Sequence, residues 1–303
     1  IGVEFIVNDI SYTVYANREV IVSGGPINSP QLLMLSGLGH KQHLKSFNIP
    51  VVLDLPVGDN YQNQPSVGLG FPLKSNYSSF STNPQLNVEQ LSQLYYQQSG
   101  MLGQTNNLFL YNSTSTVRNK QWPNIQYSFT LHSNTINVYA ILVRFKSVGT
   151  IRLQSTSPYV SPIIDPNCLS YHGDAQALLE ALTFAFYMFE QSAITQYIEI
   201  SDLFAPIGCP VCPGKYAYEC VEGLQCYLNY NTHTAYHPGG SCRMGAIERP
   251  DVVVDPQLKV KGIKNLRVCD SSVFPVLPNA NTASASIVVG YKCAQYIIDQ
   301  YQL

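Results

Sequence analysis

The sequence predicts an α/β fold with a second, α+β lobe that contains an antiparallel sheet. Three observations support this prediction. A strand, a glycine turn and a helix follow one another near the start of the chain, alternating strands with Tyr-, Ser-, Asn- and Gln-rich connections occupy its middle, and a buried strand followed by a helix ends it. A large core is possible, because the 303 residues are 45% hydrophobic and only 12% charged.

The first elements begin the α/β pattern. Strands are predicted for residues 1–7, 11–15 and 20–23, with Asn8-Asp9 as the turn between the first two. Gly24-Gly25-Pro26 ends the third strand, since glycine and proline interrupt regular pairing. A helix is then predicted from Asn28-Ser29-Pro30, with Ser29 as its N-cap and Pro30 as its first helical residue. This order is typical of an α/β sheet, where ligands bind beyond the carboxyl ends of the strands.

Residues 65–235 differ in composition and are predicted to form a separate lobe. Residues 126–129 and 138–143 alternate as strands do. Gly173-Asp174 precedes an apolar segment that extends to Met188, and its spacing predicts a packed helix. We expect this helix to form core.

The last segment returns to the α/β pattern. Residues 266–269 form a predicted buried strand, and residues 282–298 form a predicted helix with small residues in its first turns. Small side chains at a helix start let a ligand approach the backbone closely.

Charge and hydropathy exclude several classes of function. The formal net charge is -2, and no basic run is present that could release counterions from nucleic acid. No stretch of about 18 apolar residues predicts a membrane span, and no charged-then-apolar leader begins the chain. The first residues form a strand at once, so we expect the sequence to be cut from something longer.

Four of the eight cysteines cluster in one segment, at Cys209, Cys212, Cys220 and Cys226. Zinc binding and disulfide bonding both fit such a cluster. The sequons at Asn76 and Asn112 are glycosylation acceptors only in the secretory pathway, and they favour an oxidising compartment. We therefore expect disulfides in this cluster and no metal.

Three separated blocks carry a resemblance that extends over the whole chain. They are residues 25–39; residues 149–153 with 162–167; and residues 236–245, Tyr-His-Pro-Gly-Gly-Ser-Cys-Arg-Met-Gly, followed by 254–256, 270–275 and 278–282. In this order they resemble the second signature, a substrate-lobe strand and turn, and the C-terminal catalytic region of the glucose-methanol-choline (GMC) oxidoreductases.

The resemblance implies a fold, a cofactor and a reaction. Residues 1–64 and 236–303 would be the C-terminal portion of an FAD-binding domain, and residues 65–235 a substrate-binding domain. The implied reaction is the FAD-dependent oxidation of a small alcohol to a carbonyl. The G-x-G-x-x-G turn that normally holds the pyrophosphate does not occur here. We therefore expect a complementary N-terminal half, on the same polypeptide or as an associated fragment.

The tail of the lobe that contains Cys220, together with the sequons, is most similar to the secreted arthropod branch of the family. This similarity implies an extracellular glycoprotein.

Two residues are the candidate catalytic groups. His237 suits the removal of a hydroxyl proton, because an imidazole titrates near neutrality, and the resemblance places the matching histidine at the reactive edge of the flavin. Asn281 holds the second catalytic position, from which an amide N–H can donate to the substrate oxygen. The alternatives are that His237 is a loop histidine with only local hydrogen bonds, and that Asn281 is a helix N-cap.

The motif context also implies cofactor contacts. The candidates are Tyr236, Asp270, Ser271, Asn281 and Thr282. Asp270 follows a strand, where a carboxylate is also a common turn residue, so both roles remain open for it.

The sequence departs from the family pattern at three positions. Pro26 stands where a small flexible residue is usual, and Asn63 and Gln64 stand where the corresponding segment normally ends in Asp-His. These changes suggest altered chemistry or packing. Two alternatives to alcohol oxidation therefore remain, a flavin-containing cyanohydrin (hydroxynitrile) lyase and a secreted non-catalytic derivative.

Overall fold

The computed structural model describes residues 1–80, 88–98, 108–132, 134–200, 208–210, 212 and 216–303. The chain divides into two compact units. The first contains residues 1–63, 146–170 and 236–303, and the second contains residues 64–145 and 171–235.

The elements are numbered in chain order. The strands are β1 (Gly2–Val7), β2 (Ile10–Tyr15), β3 (Val20–Val22), β4 (Pro65–Pro72), β5 (Leu108–Asn112), β6 (Ile125–His132), β7 (Thr135–Leu142), β8 (Thr150–Arg152), β9 (Ile163–Asp165), β10 (Thr232–Thr234) and β11 (Leu266–Val268). The α-helices are α1 (Gly25–Leu35), α2 (Lys41–Ser46), α3 (Val88–Gln97), α4 (His172–Glu190), α5 (Val221–Asn231) and α6 (Ala283–Tyr301). No described helix is both long enough and apolar enough to cross a membrane.

The first unit contains the α/β pattern that the sequence predicts. β3 and β11 pair in parallel although more than 200 residues separate them, with Val20 opposite Leu266. The helices α1 and α6 follow these two strands. Arg267 lies fully buried in β11 and bonds to the Glu19 carboxylate at 2.9 Å. A buried guanidinium needs such a partner, because an unpaired buried charge is strongly destabilising.

The hairpin β1–β2 forms as predicted. Asn8 and Asp9 take φ angles of 49° and 62°, which are the left-handed conformations that a two-residue hairpin turn requires. Asn and Asp tolerate this region better than other non-glycine residues.

The helix α1 begins at Gly25, so the predicted start at Ser29-Pro30 is wrong. The Asp270 carboxylate accepts the amide N–H of Gly25 at 3.0 Å, and this distant group takes the place of a local N-cap. Pro30 lies inside the helix and has no N–H for the Pro26 carbonyl. Ser241 fills that vacancy by donating its hydroxyl to the Pro26 oxygen at 2.6 Å.

The second unit contains a five-stranded antiparallel sheet in the order β10-β4-β7-β6-β5. α4 packs on one face, where Phe71 of β4 stacks on Phe189 with ring centroids 4.3 Å apart. The buried hydroxyl of Tyr127 donates to the Ala181 carbonyl of α4 at 3.0 Å. The predicted antiparallel sheet and packed helix are both present.

The sequence-based domain boundaries placed residues 146–170 in the lobe of residues 65–235, and the structure differs from this assignment. These residues belong to the first unit. The reason is main-chain pairing: Ile151 of β8 donates to Gly58 at 2.7 Å, and Gly149 and Tyr61 exchange two hydrogen bonds. These bonds tie β8 and its partner β9 to the segment before residue 64.

The cysteine cluster forms two nested disulfides. Cys209 bonds to Cys226, and Cys212 bonds to Cys220. The sequence did not predict α5, which begins directly after Cys220 and carries Cys226. A third disulfide, Cys269–Cys293, was also not predicted, and it joins the residue after β11 to α6.

Candidate active site

His237 lies in a turn of the first unit, and the side chain of Asn63 holds the main chain of His237. The His237 amide N–H donates to Asn63 Oδ1 at 3.0 Å. Asn63 is 7% exposed, and its Nδ2 donates to the Tyr61 hydroxyl at 3.4 Å. Burial lowers the pKa of the His237 imidazole, because desolvation disfavours the charged form. The imidazole is therefore held in the neutral form that can accept a proton.

The two glycines after Pro238 are required by their surroundings. Gly240 has a φ of 85°, and a Cβ there would lie 2.5 Å from the Asn60 carbonyl oxygen. A Cβ on Gly239 would lie 2.6 Å from a methyl of Leu277. Only glycine allows this close approach of the turn to its neighbours.

Two amide side chains connect the His237 turn to the segment that leads to Asn281. Asn60 Nδ2 donates to the Gly240 carbonyl at 3.2 Å. Gln62 exchanges main-chain hydrogen bonds with Gly239 at 2.9 Å, and its side chain donates to the Pro275 carbonyl at 3.2 Å and accepts the Leu277 N–H at 3.3 Å. The segment of residues 60–63 thus holds both parts of the candidate site.

Asp270 is engaged by its own chain. Its Oδ2 accepts the Gly25 N–H at 3.0 Å and the Ser29 hydroxyl at 2.5 Å, and its Oδ1 accepts the Ser272 N–H at 2.7 Å. This carboxylate fixes the end of β11 to the start of α1, as the turn alternative anticipates. A contact between Asp270 and a cofactor stays a prediction. Ser271 accepts the Gly240 N–H with its carbonyl at 3.0 Å and so supports the His237 turn.

The start of α6 is exposed and carries small side chains. Asn281 is exposed, and Thr282 takes the N-cap position that the sequence alternative assigned to Asn281. No acidic residue occurs in the first turn, so the main-chain N–H groups there remain suited to an anionic ligand. Tyr236 precedes His237 and is 86% exposed with a φ of 59°, so its ring is accessible.

Two protein-family models match this chain. A GMC oxidoreductase N-terminal domain matches residues 1–66, and a GMC oxidoreductase C-terminal domain matches residues 146–290. The chain belongs to the GMC oxidoreductase family.

Similar GMC oxidoreductases include choline dehydrogenases. The chain is 32% identical to the oxygen-dependent choline dehydrogenase of Brucella ovis over 324 residues, which cover all of this chain and 56% of that protein. It is 32% identical to the mitochondrial choline dehydrogenase of Homo sapiens over 313 residues, covering 99% of this chain and 51% of the human protein. The chain thus spans about half the length of the curated relatives it matches.

Solved structures confirm the GMC fold. A formate oxidase superposes on 99% of this chain and 57% of its own with a TM-score of 0.83 and 24% identity. A fungal aryl-alcohol oxidase covers 98% of this chain and 57% of its own with a TM-score of 0.74 and 20% identity. At these identities the likeness establishes the fold alone.

Asn60 and Gln62 were not among the predicted site residues, and Asn63 was predicted only as a departure from the family pattern. A signal was available, because a run of amides beside a family motif offers hydrogen-bonding groups that a buried segment must satisfy. Their partners lie more than 170 residues away, and no local pattern identifies them.

The two predicted glycosylation acceptors differ in accessibility. Asn76 is exposed, whereas Asn112 is half-buried and uses its Oδ1 to accept the Ser113 N–H at 2.8 Å. Within the described part of the chain, no group of three or more His, Cys, Asp or Glu side chains could hold a metal ion.

Proposed function

We propose that this chain is the C-terminal half of an FAD-dependent enzyme that oxidises a small alcohol to a carbonyl, with His237 as the general base. The observation that supports this best is the His237 turn. It combines a half-buried imidazole of lowered pKa, a main-chain anchor to Asn63 and two sterically required glycines. A loop histidine with only local hydrogen bonds needs none of these features.

The residues present fit a flavin dinucleotide. The first turn of α6 exposes small side chains and free main-chain donors, as a phosphate-bearing ligand requires. Asn281, Thr282, Tyr236 and Ser271 would hold FAD there. Asp270 would contribute by fixing the position of Ser271, since its carboxylate already accepts three hydrogen bonds.

The chemistry requires two transfers from the alcohol. FAD, when bound, would supply the acceptor for the hydride from the carbon that carries the hydroxyl. The neutral His237 imidazole takes the hydroxyl proton, so the electron pair of the O–H bond becomes the second carbon–oxygen bond. The Asn281 amide N–H donates to the substrate oxygen and stabilises its developing negative charge. Asn281 cannot carry a proton away, so this proposal has a single base.

The proposal also includes an extracellular location. More specifically, it places the protein in the secreted arthropod branch of the family. Three disulfides support an oxidising compartment, and exposed Asn76 is an accessible glycosylation acceptor. Deglycosylation of the native protein with a mass shift at Asn76 would support this location. Free thiols at all six of these cysteines would contradict it.

The decisive experiment follows flavin absorbance in the native holoenzyme. Adding small alcohols should bleach the oxidised flavin spectrum, and His237→Ala should slow that bleaching by about a hundredfold or more while flavin content stays near normal. Bleaching at the wild-type rate would remove His237 from the mechanism.

The same preparation distinguishes the alternatives. A cyanohydrin lyase would release cyanide without changing the flavin spectrum, and a non-catalytic derivative would contain no flavin. A matched control is His132→Gln, at the exposed end of β6 in the other unit, which should leave the bleaching rate unchanged.

A further inference from the structure

Asn63 is one of the positions at which the sequence departs from the GMC family pattern, and it is hydrogen-bonded to the candidate base, His237. It is almost fully buried, and its Oδ1 accepts the His237 main-chain N–H at 3.0 Å. Losing the acceptor of this N–H would cost free energy, so the Asn63 side chain restricts where the His237 main chain can lie.

We propose that Asn63 is a positioning residue that fixes His237 and, as a neutral amide, keeps a negative charge away from its imidazole. The inference rests on the proposed role of His237 as the base. A carboxylate at this position would offer the same acceptor geometry but would favour protonated imidazole. The amide therefore supplies the anchor without the charge.

The groups around Asn63 support a neutral environment. Tyr61, the other partner of the Asn63 side chain, is buried, and burial raises the pKa of its hydroxyl, so it stays uncharged near neutral pH. The neighbouring carboxylate on the same segment, Asp59, forms an ion pair with Arg152 and a hydrogen bond with His40. Both oxygens of the Asp270 carboxylate are engaged by Gly25, Ser29 and Ser272, at the start of α1 and the end of β11.

The consequence is that His237 can act as a base at a lower pH than it could beside an aspartate. Because burial lowers the pKa of His237 and the amide does not oppose this effect, the imidazole keeps its unprotonated form to a lower pH than an exposed histidine would. An aspartate in place of Asn63 would move the onset of activity toward higher pH.

The test compares Asn63→Asp and Asn63→Ala in the native, full-length holoenzyme. Asn63→Asp should move the acidic limb of the flavin-reduction profile up by about one pH unit and recover nearly the wild-type rate at high pH. Asn63→Ala leaves the His237 N–H without its acceptor, so the rate should fall about tenfold at every pH. Asn48→Asp adds the same charge on the exposed turn after α2 and should leave the profile unchanged.

A second readout does not depend on catalysis. The pKa of His237 is measured by NMR titration of the imidazole C–H, with the signal assigned by its loss in a His237 variant. Asn63→Asp should raise this pKa by about one unit. An unchanged pKa together with an unchanged rate profile would overturn the proposal.

The outcomes separate this inference from the proposed function. If His237→Ala reduces flavin slowly but both Asn63 variants match the wild type, Asn63 has no positioning role. The proposed role of His237 as the base is then retained. If His237→Ala is as fast as the wild type, the proposed function itself fails. If Asn63→Ala does not fold, Asn63→Asp still decides, because it is almost isosteric and keeps the acceptor.

Discussion

A second histidine in the first unit, His43, has a structural role that depends on its protonation state. Its Nε2 accepts the Leu153 main-chain N–H at 3.0 Å, which fastens α2 to the residue after β8. Burial, followed by the charges of Arg152 and His40, lowers its pKa below 6.5. Only the neutral imidazole can accept this hydrogen bond, since both nitrogens of the protonated ring are donors.

This arrangement predicts that acid destabilises the fold through His43. With its folded pKa below the unfolded value, the unfolded state binds more protons as the pH falls below about 6.5. The contribution is complete above that pH and is lost as the pH falls through the folded pKa. The thermal unfolding midpoint (Tm) of the holoenzyme should therefore be lower at pH 5 than at pH 7.5. In His43→Gln, the difference in Tm between these two pH values should be smaller.

The matched control for His43 is His172→Gln at the exposed start of α4. It should keep the wild-type dependence on pH. Equal slopes for His43→Gln and the wild type, measured by thermal unfolding at a series of pH values, would show that the Leu153 hydrogen bond does not carry the effect.

At the scale of elements, local patterns predicted six of the eleven described strands, and β4, β5, β8, β9 and β10 were not among them. β2, β6 and β7 follow from alternation, and the turn between β1 and β2 follows from Asn8-Asp9, because these signals are contained in neighbouring residues. The start of α1 was mispredicted because its cap comes from Asp270, which is 245 residues from Gly25. Likewise the motif identified His237, but its anchor at Asn63 is a tertiary contact that only the folded chain reveals.

The third disulfide gives the prediction that belongs to this scale. Cys269 and Cys293 join β11 to α6, closing a loop with a sequence separation of 24 residues, and both are buried. Closing a loop of this size removes unfolded-state entropy worth about 3 kcal/mol in the chain-entropy model. Replacing both cysteines with serine should lower the free energy of unfolding by about that amount in denaturant titrations.

Cys168→Ser provides the comparison for this disulfide. Cys168 is a free, half-buried cysteine of the same unit, and the replacement should have a much smaller effect. A double serine variant as stable as Cys168→Ser would show that the bond between β11 and α6 contributes little.

At the scale of the whole molecule, the first unit exposes apolar surface on several elements. β3 and β11 form only a two-stranded sheet, with Ile21 of β3 exposed. On α6, Ile287 is 72% exposed, and Val288, Tyr291 and Ile298 are also exposed. The apolar residues of β1 and β2 are exposed as well. Exposed apolar residues on several elements of one unit are the kind of surface that a partner covers.

We predict that the complementary N-terminal half of a GMC oxidoreductase covers this surface, since the curated relatives are about twice as long as this chain. An added βαβ unit would pair the free edge beside β3 and cover the apolar residues of α6. We therefore predict that these 303 residues, expressed alone, aggregate and bind no FAD, whereas co-expression with the N-terminal half restores a soluble, yellow protein. Intact-mass spectrometry of the native protein tests the same prediction. A soluble, flavin-bearing species at 33.6 kDa, the mass of this chain alone, would contradict the prediction, because it would show that the exposed faces need no partner.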